Sequence, residues 1–540
     1  MGSNMERRSM IYKRIARRLL RVAPVLLPLL LLIGTGLRGL DFGTHWDEKY
    51  YQIGPVRTMV TTGILLPQYY GYPSLDYWIN MAGLIPDVVV TLPDGEGRRQ
   101  HVFKALESHA YLMRLRATFL IITSLSVLWV YVLVVVWRRS WVEALLAGLF
   151  LALSWEVAYH LRWVATDGML MQFGALTLMC AMLSRLRQLS GHFWLQLAAV
   201  AAGLGCGTKY PGGLLFVPVL VGGYLLWDRK SPPAALIWSW VKLVLIFTAV
   251  YLVTTPATVL QPISFFAGLA YELHHYSTGH AGHTIASGLE HGWRMFVYFS
   301  SVLFSRYAPI AWLFFLLAAV GGYALVKEER QTATLFLCFP VLYLLYFCTQ
   351  RAMVVRNLLV VVPFMAVLAA RGTVFIWQRL KLGVAGRAVR NIKLNPVQLG
   401  FAALMLTAFS INAGWLVYAA QTIADRNTDR FVREAAAYIS GNNKRQYFLS
   451  PRVQAHLTTV GPVQLPNVTD DPTRADEVIL YAHEGMRRWQ DWPANSFWLT
   501  TTWFGPYEVN FNVYPNWWGD DRIIVVPMSR AKQIGILVVK

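Results

Sequence analysis

An aspartate and a glutamate stand side by side at Asp47 and Glu48, a few residues beyond the end of the first long apolar run. Ionisable groups held close to a bilayer are costly to keep and usually functional. A carboxylate placed there can take a proton from a hydroxyl nucleophile, provided it stays ionised and oriented. The plainer reading is a solvated loop start. A further carboxylate, Asp167, closes the run His160-Leu-Arg-Trp-Val-Ala-Thr-Asp167, in which Arg162 lies five residues earlier. Lys209 and Tyr210 end a glycine-rich stretch that begins at Gly203, and Arg351 and Arg356 flank the outer end of another apolar run. A cationic cluster at a membrane surface suits a lipid-linked phosphate, which arginine can hold through two parallel N–H donors. Snorkelling at helix ends explains any one of these cations. It explains their gathering on one face, beside carboxylates, less well.

Two other segments carry polar or aromatic chemistry. Glu272 to His283 contains His274, His275, His280 and His283, four histidines in ten residues. Histidine with a carboxylate makes a reasonable zinc ligand set, but this spacing matches no tight metal motif. Hydrogen bonding to a polar substrate, with His280 and His283 as candidates, is the better reading. A divalent metal is left open, and no other cofactor is required. Gln68 to Trp78 is rich in tyrosine around Gly71 and Pro73, with Tyr72 at its centre. Such a surface suits a sugar or an isoprenoid chain, and equally an aromatic belt at the membrane interface.

The elements that must position these groups follow from composition. The 540 residues are 56% hydrophobic and only 14% charged, against about 25% charged in ordinary soluble domains. That much apolar surface has nowhere to go in water, so the chain is an integral membrane protein. A free cytosolic enzyme, a disordered scaffold and a disulfide-rich secreted module are excluded. Apolar runs suited to spanning helices lie near 19–38, 116–137, 141–159, 168–184, 193–208, 210–227, 236–254, 306–326, 332–348, 357–371 and 398–420. The weakest is the pair within 194–227, where Gly203 to Gly213 reads as a re-entrant break. The first run carries no convincing cleavage site and is expected to remain as an anchor.

The net charge of +20 is distributed as topology signals rather than as a nucleic-acid surface. Basic clusters at Arg7–Arg21 and Arg371–Lys393, and the pairs Arg138–Arg139, Arg185–Arg187, Arg229–Lys230 and Lys327–Arg330, punctuate the apolar runs as cytoplasmic loops do. No basic stripe with interleaved aromatics is present, so nucleic acid is not a partner. With the N-terminus inside, all these pairs fall on the cytoplasmic side. Asp47, Asp167, Lys209 and Arg356 then fall outside.

The expected fold is therefore an all-α polytopic membrane domain over residues 1–423, with about eleven transmembrane helices. Its large external loops, at about 39–115 and 255–305, contain amphipathic stretches able to lie in the interface. Residues 424–540 turn polar and read as a small extracytoplasmic α/β domain, with a helix near 429–439 and strands near 446–449, 477–481 and 523–526. Cys180, Cys206, Cys338 and Cys348 lie in or beside apolar segments and read as small hydrophobes.

In their order and topology these motifs resemble those of the GT-C glycosyltransferases that use polyprenyl-phosphate sugars, namely the protein O-mannosyltransferases and the lipid A aminoarabinose transferases. The Asp47-Glu48 pair is similar to the family's catalytic motif, whose aspartate serves as general base. Tyr72-Pro-Ser-Leu resembles its Pro-Pro-Leu element, with a tyrosine where histidine or lysine usually precedes and a serine for the second proline. Arg162 and Asp167 resemble its Arg-x-x-x-x-Asp, Gly203 to Tyr210 its glycine-rich segment with lysine, and Arg356 to Pro363 a helix start in which Asn357 replaces the common tyrosine.

The resemblance implies an inverting glycosyltransferase. Its donor is a sugar on undecaprenyl phosphate or a related polyprenyl phosphate, its acceptor an extracytoplasmic hydroxyl, and its setting a bacterial cytoplasmic membrane with the site facing outward. Asp47 then acts as base beside Glu48. Arg162, Lys209 and Arg356 hold the donor phosphate, and Tyr72, Asp167, Tyr210, His280 and His283 contact substrate. A transporter or flippase for lipid-linked sugars would show pseudo-repeats and midplane polar breaks, whereas the charges here gather at helix ends. A ligase for diphosphate-linked oligosaccharides is the nearer alternative.

Overall fold

The computed structural model describes residues 23–42, 47–90, 97–186, 190–279, 284–382, 396–424, 428–442, 444–450, 453–454, 457, 465–481, 497–498 and 523–529. They fall into two compact units, divided between Val417 and Tyr418, with Asp41 counted in the second.

Over the described residues the apolar runs read from the sequence are helical, the one near 141–159 as two helices broken at Leu153 and Ser154. The helices of the first unit are α1 (Leu26–Arg38), α2 (Gly54–Thr62), α3 (Leu75–Ala82), α4 (Ile85–Val90), α5 (Arg98–Leu106), α6 (His109–Arg138), α7 (Trp141–Ala152), α8 (Trp155–His160), α9 (Thr166–Leu186), α10 (Gly191–Thr208), α11 (Phe216–Leu226) and α12 (Pro233–Thr254). They continue with α13 (Ala257–Leu260), α14 (Pro262–Thr278), α15 (Leu289–Ser301), α16 (Ala308–Glu328), α17 (Arg330–Cys348), α18 (Val362–Leu382) and α19 (Pro396–Ala424), whose last residues pass into the second unit. Among the described residues seven helices are long and apolar enough to cross a membrane, and three shorter apolar ones accompany them. The protein is thus an integral, multi-pass membrane protein.

Helix starts follow local chemistry. The hydroxyls of Ser108, Ser140 and Ser154 accept from the backbone N–H groups of Tyr111, Glu143 and Val157, capping α6, α7 and α8. Helix α9 is the centre of the bundle, 83% of its apolar window being buried, and it packs on α6, α10 and the 3-10 turn Val355–Val361 that leads into α18. Helices α16 and α18 cross closely. A Cβ at Gly321 would fall inside the Leu368 carbonyl, and one at Gly372 inside the Leu317 carbonyl. Phe150 meets Phe314 and Phe409 edge-on at 4.8 and 5.0 Å between ring centroids, filling the core beside that crossing.

The glycine-rich stretch does not continue as one helix. Helix α10 stops at Thr208, Lys209 is extended, and the chain turns through a 3-10 segment, Tyr210–Leu215, into α11. A Cβ at Gly207 would collide with Thr254, so the glycines let α10 approach α12 closely. The two large loops fold as the short helices α2 to α5 and α13 to α15.

In the second unit a helix, α20 (Thr428–Gly441), accompanies a four-stranded sheet of β1 (Tyr447–Leu449), β2 (Glu477–Tyr481), β3 (Phe497–Trp498) and β4 (Ile523–Pro527) in the order β1-β2-β4-β3. β1 and β2 are parallel, and β4 runs antiparallel to both β2 and β3. Ala435 and Ile439 of α20 pack with Tyr447, Leu449, Ile479 and Val525.

Candidate active site

Four charged side chains from four distant segments meet at one end of the bundle. Asp47 opens a π-helical turn, Glu48–Ile53, that runs into α2. Asp167 lies in the first turn of α9, where the helix N-terminus favours a negative charge. Lys209 is the residue at which α10 ends, and Arg356 lies in the 3-10 turn before α18. Arg356 donates through Nη1 to Asp47, and its Nε lies 3.3 Å from Asp167 Oδ2. Lys209 Nζ donates to Asp167 Oδ1 at 2.6 Å and to Asn357 Oδ1. All four residues are less than 10% exposed. Two cations against two carboxylates make the cluster electrically neutral, the arrangement in which buried charge is least costly.

Around this lattice stands a polar and aromatic wall. Tyr276, near the end of α14, exchanges hydrogen bonds of 3.2 and 3.3 Å with Asn357, whose carbonyl accepts from the Tyr343 hydroxyl at 2.8 Å. The Arg356 guanidinium lies 5.4 Å from the centre of the Trp163 ring. Tyr51 and Tyr69 are 5.7 Å apart, and Tyr69 and Tyr72 6.4 Å; Tyr72 feels the charge of Asp47 and Arg356. Tyr210 donates to the Tyr70 carbonyl at 2.7 Å, and Trp78 Nε1 to the Thr254 carbonyl at 3.1 Å, tying the tyrosine-rich loop to the end of α12.

Burial pushes the Asp47 carboxyl above the usual carboxylate range, although the Arg356 charge and hydrogen bond pull the other way. A carboxylate made more basic this way is a better proton acceptor near neutral pH.

Glu48 is occupied differently. Both its oxygens meet the buried Arg116 of α6, Nε to Oε1 at 2.9 Å and Nη2 to Oε2 at 2.6 Å, and Oε1 also accepts the Val164 N–H at 3.0 Å. Arg116 Nη1 donates to the Leu40 carbonyl at 3.0 Å. Glu48 thereby pins the start of the loop to α6 and to the link between α8 and α9. Asp47 alone of the adjacent pair reaches the cationic lattice.

The structure thus brings Asp47, Asp167, Lys209 and Arg356 together, with Tyr72 beside them and Tyr210 holding the loop that carries Tyr72. Arg162 is buried in the link before α9, while Arg351 is exposed. His280 and His283 lie outside the described residues. Among the described residues no group of three or more histidine, cysteine, aspartate or glutamate side chains is placed to hold a metal ion.

Several functional candidates escape a reading of local sequence. Tyr276 sits amid ordinary helix-end residues, and Asn357 stands out in the motif only as a departure from the common tyrosine. Asp76 of α3 is fully buried with neither carboxyl oxygen hydrogen-bonded among the described residues. Glu272 is partly buried, and burial raises it to about 7 against the opposing charge of Lys209. A polar residue inside an otherwise apolar stretch was the available signal for Asp76, and an acidic residue beside a tyrosine for Glu272.

Comparison with known proteins finds a family match over part of the chain. More particularly, residues 97–268, which hold Asp167 and Lys209, match the family described as dolichyl-phosphate-mannose-protein mannosyltransferase. The resemblance drawn from the motifs is borne out. No curated protein matches the chain. Among solved structures it is similar to ArnT from Cupriavidus metallidurans bound to undecaprenyl phosphate, with 14% identity, a TM-score of 0.47, and 93% of this chain and 97% of that one covered. It is also similar to the apo oligosaccharyltransferase of Archaeoglobus fulgidus, with 12% identity, a TM-score of 0.48 and coverages of 86% and 70%. A third is AglB of the same organism in complex with an inhibitory peptide and a dolichol-phosphate, with 13% identity, a TM-score of 0.46 and coverages of 83% and 65%.

Proposed function

We propose that the protein moves a sugar from a polyprenyl-phosphate donor to a hydroxyl of an extracytoplasmic lipid, glycan or protein, with inversion at the anomeric carbon. The observation that carries this reading is the neutral lattice of Asp47, Arg356, Asp167 and Lys209 at one end of the bundle. Its position away from the ion pairs Arg138–Glu143, Arg138–Glu329 and Arg371–Glu328, which join the end of α6, the start of α7, the end of α16 and the middle of α18, supports an outward-facing site. The basic loops favour an orientation with this end outside, and the proposed setting is a bacterial cytoplasmic membrane.

Asp47 takes the proton of the acceptor hydroxyl as its oxygen bonds to the anomeric carbon. The bond from that carbon to the phosphate oxygen breaks, and the electron pair leaves on the phosphate. Lys209 and Arg356 stabilise that charge electrostatically, with Arg162 as a third candidate cation. The charge balance favours one base and no acid. The donor phosphodiester carries one negative charge and the product phosphate two, while Asp47 goes from charged to neutral by gaining the proton. The total charge within the buried site is unchanged across the step, so no buried charge has to be created. A phosphate leaving group needs little protonation.

The test is direct. Purified protein in liposomes is supplied with polyprenyl-phosphate sugars and candidate acceptors, and release of polyprenyl phosphate is followed by mass spectrometry. The reading expects donor-dependent release with the opposite anomeric configuration in the product. Release from diphosphate-linked donors alone would give the protein to the ligase class instead.

A further inference from the structure

A second polar feature lies at the other end of α10 and α12, on the surface these helices turn to lipid. There a groove of about 570 Å³ is lined by His192, Gln196, Trp238, Ser239 and Lys242, with leucine and valine along its walls. Helix α12 is the least buried of the seven candidate spans, with only 6% of its most apolar stretch buried. Lys242 is its single charged residue. At nine residues from the start of the helix it lies about 14 Å along the axis, a depth at which an ammonium on a lipid-facing surface is costly and usually functional. Helical side chains lean toward the N-terminus, so Lys242 leans toward Ser239 one turn earlier and toward the end of the helix that Arg229 and Lys230 precede.

Snorkelling accounts for a lone lysine at such a depth. It does not account for Gln196 and His192, one turn apart on the facing helix, lining the same groove. Among the described residues none of these four side chains forms a hydrogen bond or ion pair with another. The lining offers an ammonium, an amide, a hydroxyl, an imidazole and an indole N–H, and no carboxylate. That set is complementary to a phosphate, and the apolar walls are complementary to an acyl chain. The groove is also remote from the reaction site: Lys209 stands seventeen residues beyond His192, about 26 Å along α10.

We propose that this groove binds an anionic phospholipid of the leaflet at the basic end of the bundle, its phosphate held by Lys242, Ser239 and Gln196. The positive-inside rule makes that leaflet the cytoplasmic one. The lipid would seat α12 against α10, the helix whose far end carries Lys209.

Native mass spectrometry of the delipidated full chain tests this, with phosphatidylglycerol titrated against phosphatidylcholine of the same acyl chains. The expected result is preferential retention of one phosphatidylglycerol. Lys242→Met should weaken that retention about tenfold or more, the worth of a charge-assisted hydrogen bond. Lys242→Arg should keep it, and Lys230→Gln should leave it within twofold. A melting curve for each variant separates lost binding from lost fold. Equal retention of the two lipids, or retention unaffected by Lys242→Met, overturns the proposal. So does displacement by inorganic phosphate, which would mark a free-anion site, or preference for a polyprenyl phosphate, which would give the groove to the donor.

Discussion

Removing Arg116 should destabilise the protein more than removing any surface cation, and by an amount the contacts specify. Arg116 is 0% exposed and donates to both oxygens of Glu48 and to the Leu40 carbonyl. In Arg116→Met the volume is nearly kept, so cavity costs stay small. Among the described residues the Glu48 carboxylate then keeps only the Val164 N–H as a partner. Leaving a buried charge unpaired in this way costs about 3–5 kcal/mol. Glu48→Gln keeps the acceptor for Val164 but strands the guanidinium, and should cost a similar amount. Because both changes break one pair, the double variant should be less destabilised than the sum of the singles by about 1–3 kcal/mol. Unfolding in mixed micelles, read for the four proteins of this cycle, provides the assay. Additive effects, or an Arg116→Met protein within about 0.5 kcal/mol of the parent, would refute the buried clamp. Turnover per folded molecule should fall less in Glu48→Gln than in any variant of Asp47, since the lattice around Asp47 does not pass through Glu48.

Three further outcomes follow from other sites. Burial raises the Asp76 carboxyl well above its ordinary value of 3.8, so the folded chain holds a proton that the unfolded chain releases, and stability falls as pH rises above that value. Asp76→Asn should therefore raise the melting temperature at neutral pH, and a lowered one would mean the carboxylate has a charged partner. The same sign applies to Glu272, raised from 4.5 to about 7: its drag on stability grows across that interval and levels off above it, and Glu272→Gln should flatten that part of the melting curve against pH. Finally, Gly321→Ala should push α16 from α18 and cost about 1–3 kcal/mol or more, whereas Gly400→Ala, with open space around it, should be nearly silent.

The helices were legible because apolar runs of spanning length leave a chain few alternatives in lipid. The described parts of these runs are helical, though only seven of the helices there are long and apolar enough to span, and strands anticipated at 446–449, 477–481 and 523–526 appear as β1, β2 and β4. The meeting of Asp47, Asp167, Lys209 and Arg356 was legible for a topological reason: alternating basic loops put these helix ends on one face. What local pattern does not contain is pairing across the chain. Arg356 reaches Asp47 over 309 positions, and Arg116 reaches Glu48 over 68. The motif resemblance assigns the base to Asp47 and not to Glu48, but only packing shows one acid facing the cations and the other clamped to α6. The glycine-rich stretch was legible as a break but not as the close approach of α10 to α12 that Gly207 permits.

The most direct measurement of the central claim is single-turnover sugar transfer by Asp47→Asn beside the parent protein, with donor binding and thermal stability read on the same samples. The asparagine keeps the shape and much of the hydrogen bonding of Asp47 but cannot accept the acceptor's proton. The expected result is donor still bound, fold intact, and transfer slowed about 100- to 10,000-fold. Transfer at the parental rate by a folded Asp47→Asn protein would contradict it.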